Sequence, residues 1–170
     1  AEDSSGDSPL VVAVAFRRAK AAELLMSLGA NVDVIDGIGR SLFLLAASSG
    51  LFNIVELLLD RGANIEEHDN IGNTAIILAA EHGCNRVIQL LLNKGANLYR
   101  KNQFDQNALF LAANRGHDAS VALLLSGGMS IHERDNYGHT AIILAAKNSQ
   151  TKTATILLDR GANVNDKNNQ

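Results

Sequence analysis

Side chains able to do acid–base, metal or nucleophilic chemistry are thinly spread in this chain: five histidines (His68, His82, His117, His132 and His139), one cysteine (Cys84), and serines such as Ser48 and Ser49. Histidine titrates near neutrality and ligates metals, and a thiolate attacks electrophiles or binds soft cations. Such chemistry needs partners at set spacings. The chain has no second cysteine to share a metal or a disulfide, no H-E-x-x-H pair, no G-x-S-x-G turn, no P-loop and no dinucleotide glycine fingerprint. "DGIG" at Asp36 to Gly39 is a turn in register with the later "DNIG" and "DNYG". Nothing beside Ser48 or Ser49 would activate a hydroxyl. No enzyme is read here, and no catalytic residue, cofactor or metal is assigned.

What does recur is a scaffold phrase. "TAIILAA" starts at Thr74 and again at Thr140, while "NALFLAA" from Asn107, "SLFLLAA" from Ser41 and "SPLVVAV" from Ser8 complete a period of 33. The glycines Gly29, Gly62, Gly95, Gly128 and Gly161 keep the same beat. A period of this length signals an array of stacked units. Within one unit, the Thr74 hydroxyl is expected to cap a short helix by accepting from its first unpaired N–H groups, as are Ser8, Ser41, Asn107 and Thr140. That helix carries a narrow Ala79/Ala80 face and stops at Gly83, matched by Gly50 and Gly116. A second helix, "NRVIQLLLNK", is too apolar for one-sided burial and ends at Gly95. The segment "ANLYRKNQFDQ" then reads as an extended stretch and a tight turn leading to the next cap.

This unit resembles the ankyrin repeat. The resemblance covers residues 3 to about 167 as five repeats, about 3–35, 36–68, 69–101, 102–134 and 135–167, in a single domain 8–170 after a flexible lead-in 1–7. It implies an all-α ankyrin-repeat solenoid of stacked helix-turn-helix units joined by hairpin loops. The family's G-x-T-P-L-H entry is partly present, as "GNTAII" from Gly72, "GHTAII" from Gly138, "GRSLFL" from Gly39 and "DQNALF" from Asp105. Proline stands only at Pro9, and Val11, Leu44, Ile77, Phe110 and Ile143 replace the histidine, which predicts a more apolar join between repeats. The end repeats are expected to act as caps: Thr153 and Ala154 stand where Val87 and Ile88 stand two repeats earlier.

A hydrophobic share of 46% suffices for a sizeable core, and a net charge of −3 gives no reason to expect nucleic acid or an anionic membrane. The longest apolar run, Pro9 to Phe16, is far shorter than the roughly 18 residues that cross a bilayer. The acidic, small-residue opening "AEDSSGDS" fits a mature N-terminus after signal-peptide removal and favours a periplasmic or secreted protein over a cytoplasmic one.

The resemblance implies a binding surface on hairpin tips and on the concave face of the inner helices. Ile38, Ile71, Phe104 and Tyr137 recur at the third position of each turn and form one edge of the stack. They read either as neighbours packing on one another or as interface anchors, with Phe104 and Tyr137 the strongest anchors. Around them Arg40, His68, His82, Lys101, Arg115, Arg134, His139, Lys147 and Lys167 make the face locally basic, opposed mainly by Glu81, which places acidity at Glu23, Glu56 and Asp60 on the opposite surface. The expected partner is a folded protein with an acidic surface, such as an enzyme whose cleft is masked in an inhibitory or self-protective role, gripped by a chain that is a monomer on its own. An adaptor fragment of a larger array and, less favoured, a nucleic-acid binder are the alternatives.

Overall fold

Each repeat is built as a helix pair because neither helix can bury its apolar surface alone. The computed structural model describes residues 8–169, so the lead-in expected at 1–7 lies outside the described residues. The first helices are α1 (Pro9–Ala15), α3 (Leu42–Ser49), α5 (Ala75–Glu81), α7 (Ala108–Arg115) and α9 (Ala141–Lys147). The second helices are α2 (Ala19–Ser27), α4 (Phe52–Asp60), α6 (Asn85–Asn93), α8 (Asp118–Ser126) and α10 (Thr151–Asp159). Like packs beside like, first helix on first helix and second on second, which gives two helical layers. Among the described residues there is no strand, only isolated bridges at Ile35–Ser41 and His68–Thr74 flanking two of the turns.

The first-helix layer is the tighter one. Ala46, Ala47, Ala79, Ala80, Ala112, Ala113 and Ala145 are wholly buried, and side chains this small let neighbouring backbones approach. Large apolar residues join them in the core, among them Leu44, Ile77 and Phe110 at the position where the family carries histidine. Each second helix contributes a narrower stripe, such as Val87, Ile88 and Leu91 in α6. It then closes on a left-handed glycine, as at Gly95 (φ 83°), while the Ala96 N–H returns 2.9 Å to the Leu91 carbonyl.

The helix starts divide into two kinds. Ser8, Ser41 and Asn107 cap as expected, with the Asn107 Oδ1 accepting from Leu109 and Phe110 N–H at 3.0 and 3.2 Å. Thr74 and Thr140 have the extended backbone of a cap, but their hydroxyls accept no N–H and lie buried without a hydrogen-bond partner.

The ends also depart from expectation. Thr153 is buried, and its hydroxyl donates to Asp118 Oδ1 at 2.6 Å, while Thr151, Lys152 and Thr155 carry the polar exterior of the last repeat. The first repeat is not a polar cap. Phe16 (68% exposed) stands where later repeats have Ser49, His82, Arg115 and Asn148, and Leu28 (74%) where they have Arg61, Lys94, Gly127 and Arg160. From those positions Arg115 and Lys94 reach back to Glu81 and Asp60 of the preceding repeat, at 2.7 and 3.0 Å.

Two substitutions test these assignments by urea unfolding. Thr74→Val keeps the shape and removes an unpaired buried hydroxyl, so stability is expected to hold or rise by up to about 1 kcal/mol, whereas Ser41→Ala loses a working cap and costs about 1 kcal/mol. A Thr74→Val loss as large as that of Ser41→Ala would show that the threonine hydroxyl caps after all. Ser149 holds φ 58° at the position of Gly50, Gly83 and Gly116. Ser149→Gly is therefore expected to raise the unfolding midpoint, by about 1 kcal/mol of stability, by relieving a left-handed L-residue.

Candidate partner-binding surface

Between the helix pairs the chain makes a turn whose closure is the same in four successive copies. Asp36, Asp69, Asn102 and Asp135 each accept on Oδ1 from the N–H groups two and four residues on: Ile38 and Arg40, Ile71 and Asn73, Phe104 and Gln106, Tyr137 and His139, all within 2.8–3.1 Å. A backbone bond closes each loop from the other side, as from Asn102 N–H to the Gln106 carbonyl at 2.9 Å. The pattern is a side chain doing the work of a backbone turn. Asp105, at φ 58°, occupies the left-handed place that Gly39, Gly72 and Gly138 hold in the other turns.

Successive turns are joined to one another. The N–H groups of Asn70, Gln103, Asn136 and Asn169 donate to the carbonyls of Ile38, Ile71, Phe104 and Tyr137, at 3.2, 2.9, 3.5 and 3.1 Å. Beneath them the Asn102 amide donates to Asn73 Oδ1 at 3.0 Å, and that of Gln106 to Asp135 Oδ2 at 3.4 Å. The tips thus form one continuous ridge, and the apolar row rides on it with Ile38 55%, Ile71 38%, Phe104 42% and Tyr137 55% exposed.

A family model described as ankyrin repeats in three copies matches residues 10–102 and again residues 98–168. The chain belongs to the ankyrin repeat family. No curated protein matches it in sequence. Ankyrin repeats are protein-interaction modules with no catalytic machinery of their own, and among the described residues of this one no helix is long and apolar enough to cross a membrane.

The charged residues expected around the ankyrin tips are mostly paired within the chain. Arg40 binds Asp36 of its own turn at 2.8 Å, and Lys101 lies between Asp105 and Glu133, at 3.1 and 3.0 Å. Arg115 pairs with Glu81, while Arg134 donates to the carbonyls of Gly138 and Lys167, both at 2.6 Å, and reaches Asp166 at 3.4 Å. His139 is buried, facing Asp135 Oδ2 at 3.1 Å with its ring tilted against Tyr137, so it braces the turn and does not present itself to a partner. His82 is exposed at the end of α5, with Nδ1 2.9 Å from the Leu78 carbonyl. Lys147 is exposed at the end of α9 and stands in no ion pair. The basic face read from sequence is therefore largely neutralised, because its cations meet carboxylates four residues away or one repeat away. Glu23, Glu56 and Asp60 lie on the second helices, away from the turns.

The Cys84 thiol lies 3.5 Å from the Ser48 carbonyl, and burial pushes its pKa up against the lowering pull of Arg17. Among the described residues no group of three or more histidines, cysteines or carboxylates is placed to hold a metal.

Burial alone would raise the carboxyl pKa values of Asp36 and Asp135. The N–H bonds they accept, with the Arg40 guanidinium on one and the His139 ring on the other, outweigh it and hold both below the ordinary carboxylate value. A carboxyl depressed on folding adds stability above its unfolded pKa of about 4, and that stability is lost as pH falls through the lower folded value. Asn102 closes the same turn with a carboxamide. The double variant Asp36→Asn, Asp135→Asn is thus expected to fold and to lose less stability between about pH 5 and pH 3 than the parent. Parallel pH-dependent urea midpoints for the two proteins would contradict this reading.

Proposed function

We propose that this ankyrin-repeat chain is a non-catalytic binder that grips a protein partner along the turn ridge, with Ile38, Ile71, Phe104 and Tyr137 as its anchors. The observation that carries the reading is the in-register exposure of these four side chains on a backbone bonded from turn to turn. Large apolar groups exposed on a ridge already ordered lose little entropy on binding and gain the full benefit of desolvation. With most nearby cations paired inside the chain, apolar contact and shape account for recognition better than attraction to an acidic surface, and there is little free positive charge to hold a phosphate backbone. His82 and Lys147 remain available as polar contacts at the first-helix ends.

Masking of a partner's working surface is the mode of action in keeping with a single stiff array, because such a scaffold acts by covering what it binds. An adaptor role as one length of a longer array is the second reading. The exposed Leu24 on the first repeat favours it, since its counterpart Leu90 in the middle of the stack is buried.

Capture from native extract tests the proposal. Wild type is expected to retain a partner that Phe104→Ala, Tyr137→Ala loses, by at least tenfold, while Leu158→Ala on the second-helix layer retains it. Equal recovery by wild type and the tip variant would remove the ridge as the binding element. A captured enzyme that keeps full activity at saturation would remove the masking role.

A further inference from the structure

Setting each position beside its counterparts one repeat away separates the two faces of a repeat. Positions that a following repeat covers are exposed only in the last one. Ala146 is exposed where Ala47, Ala80 and Ala113 are fully buried, Ile143 is half-buried where Leu44, Ile77 and Phe110 are sealed, and Val164 is 72% exposed where Val32, Ile65, Leu98 and Ile131 pack against the core. Positions that a preceding repeat covers are exposed only in the first. Pro9 is exposed where Leu42, Ala75, Ala108 and Ala141 are buried, Ala21 is exposed where Ile54, Val87, Ser120 and Thr153 are buried, and Leu24 is 58% exposed against 7% for Leu90. The stack therefore ends in two unlike apolar faces. Each is one half of an interface that the chain builds between every pair of its own repeats.

Within the chain, what covers either face is its opposite, and no interface joins two faces of the same kind. The last face is also hollowed to receive a neighbour. A cavity of about 380 Å³ opens on it, lined by Ile142, Ile143, Ala146 and Val164 together with His139 and Lys147. The start of a further turn is already in place beside it, with Asp166 held to Arg134 at 3.4 Å and the Asn169 N–H to the Tyr137 carbonyl at 3.1 Å. The edge of the face agrees in chemistry. A residue near the end of a first helix meets the residue 34 positions later in the next repeat, as Glu81 meets Arg115 and Asn114 meets Asn148. Carried past the last repeat, in steps of 33, the same rule brings Lys147 to Phe16 of a second copy. Lys147 stands in no ion pair among the described residues, and Phe16 is 68% exposed. A cation over a ring is a contact the chain already makes between repeats, with Arg86 4.6 Å from the centre of Phe52.

We propose that copies of this chain stack head to tail, the last repeat of one covering the first repeat of the next, in place of the monomer expected from sequence. The contact continues the first-helix layer, α9 of one copy lying on α1 of the other with Ala146 and Ile143 against Pro9, while Leu24 is removed from water in the second layer. Counted in register, residues 1–5 of the second copy fall where 166–170 of the first already lie, so the contact is made from Ser8 onward. Because the two faces differ, joining two copies leaves one free face of each kind, and assembly does not close at the dimer. The proposal stands on the end faces and is independent of the turn ridge.

Sedimentation velocity of the chain at rising concentration tests this. The weight-average mass is expected to rise at least about twofold between about 1 μM and about 1 mM, without levelling at the dimer. Leu24→Glu and Ala146→Glu each place a charge on one face only, at a position already exposed, so both are expected to keep the parent's thermal midpoint at low concentration and to sediment alone as monomers. Mixed in equal amounts, they are expected to form a one-to-one dimer and nothing larger, since the intact last face of Leu24→Glu meets the intact first face of Ala146→Glu. A parent chain that stays monomeric throughout, a mass that levels at the dimer, a single variant that still grows alone, or a mixture no heavier than its components would each overturn the proposal.

Discussion

The contact between alanines of neighbouring first helices governs the rest of this molecule. Ala46 and Ala47 face the next pair, and so on to Ala145, all without solvent contact. Because these side chains are small, the first helices come close, and their packing sets the repeat step. Every longer-range interaction must then be commensurate with that step. The turn-to-turn hydrogen bonds, from Asn70 to Ile38 and onward, exist because the step brings each loop within reach of the one before. A larger residue in the alanine layer would be felt first as overpacking, and then as lost contact at the ridge, a whole layer away.

The same step explains where the charges go. Lys94 with Asp60, Arg115 with Glu81 and Lys152 with Asp118 all join residues 34 positions apart, so each bridges a repeat to its predecessor. The guanidinium of Arg86 likewise lies 4.6 Å over the Phe52 ring of the repeat before it. Exposed pairs of this kind contribute little stability each. Their larger effect is on register and on the surface, since a cation held by a neighbouring repeat is not offered to a partner. The ridge is left with little free charge, and its apolar row becomes the feature that remains to be recognised.

Five helix pairs were legible in the sequence because cap residues, alanine pairs and glycines fall at fixed separations along the chain. The tip row was legible for the same reason. What was not legible depends on distances between repeats. Arg40, Lys101 and Arg134 look free when read along the chain, but their partners are placed by the turn or by the adjoining repeat. His139 looks like a surface group, yet the Asp135 turn draws it inward. Thr74 and Thr140 have the right residue type for a cap and the right backbone, and the hydroxyl still goes unused, since only the rotamer inside a packed layer decides that. Asn70, Gln103, Asn136 and Asn169 share the 33-residue period, but their backbone bonds to the preceding turn leave no mark in residue type.

A stack of this kind is stable only through its interfaces, so its two ends are held from one side each. The first repeat leaves Leu24 exposed where its counterpart Leu90 is buried, and two non-glycine residues, Arg17 and Ser149, hold left-handed backbone in the first and last repeats where Gly50, Gly83 and Gly116 serve the middle ones. Fraying at an end would tilt its turn out of line and break the equal spacing of the tips. A ligand lying along the whole ridge binds only the state in which all four turns are in line, and so favours that state by mass action. Recognition by several equally spaced contacts is therefore also a demand for an intact stack. The three middle repeats, with a neighbour on each side, hold the centre of the ridge rigid, and the ends set how much of it is available.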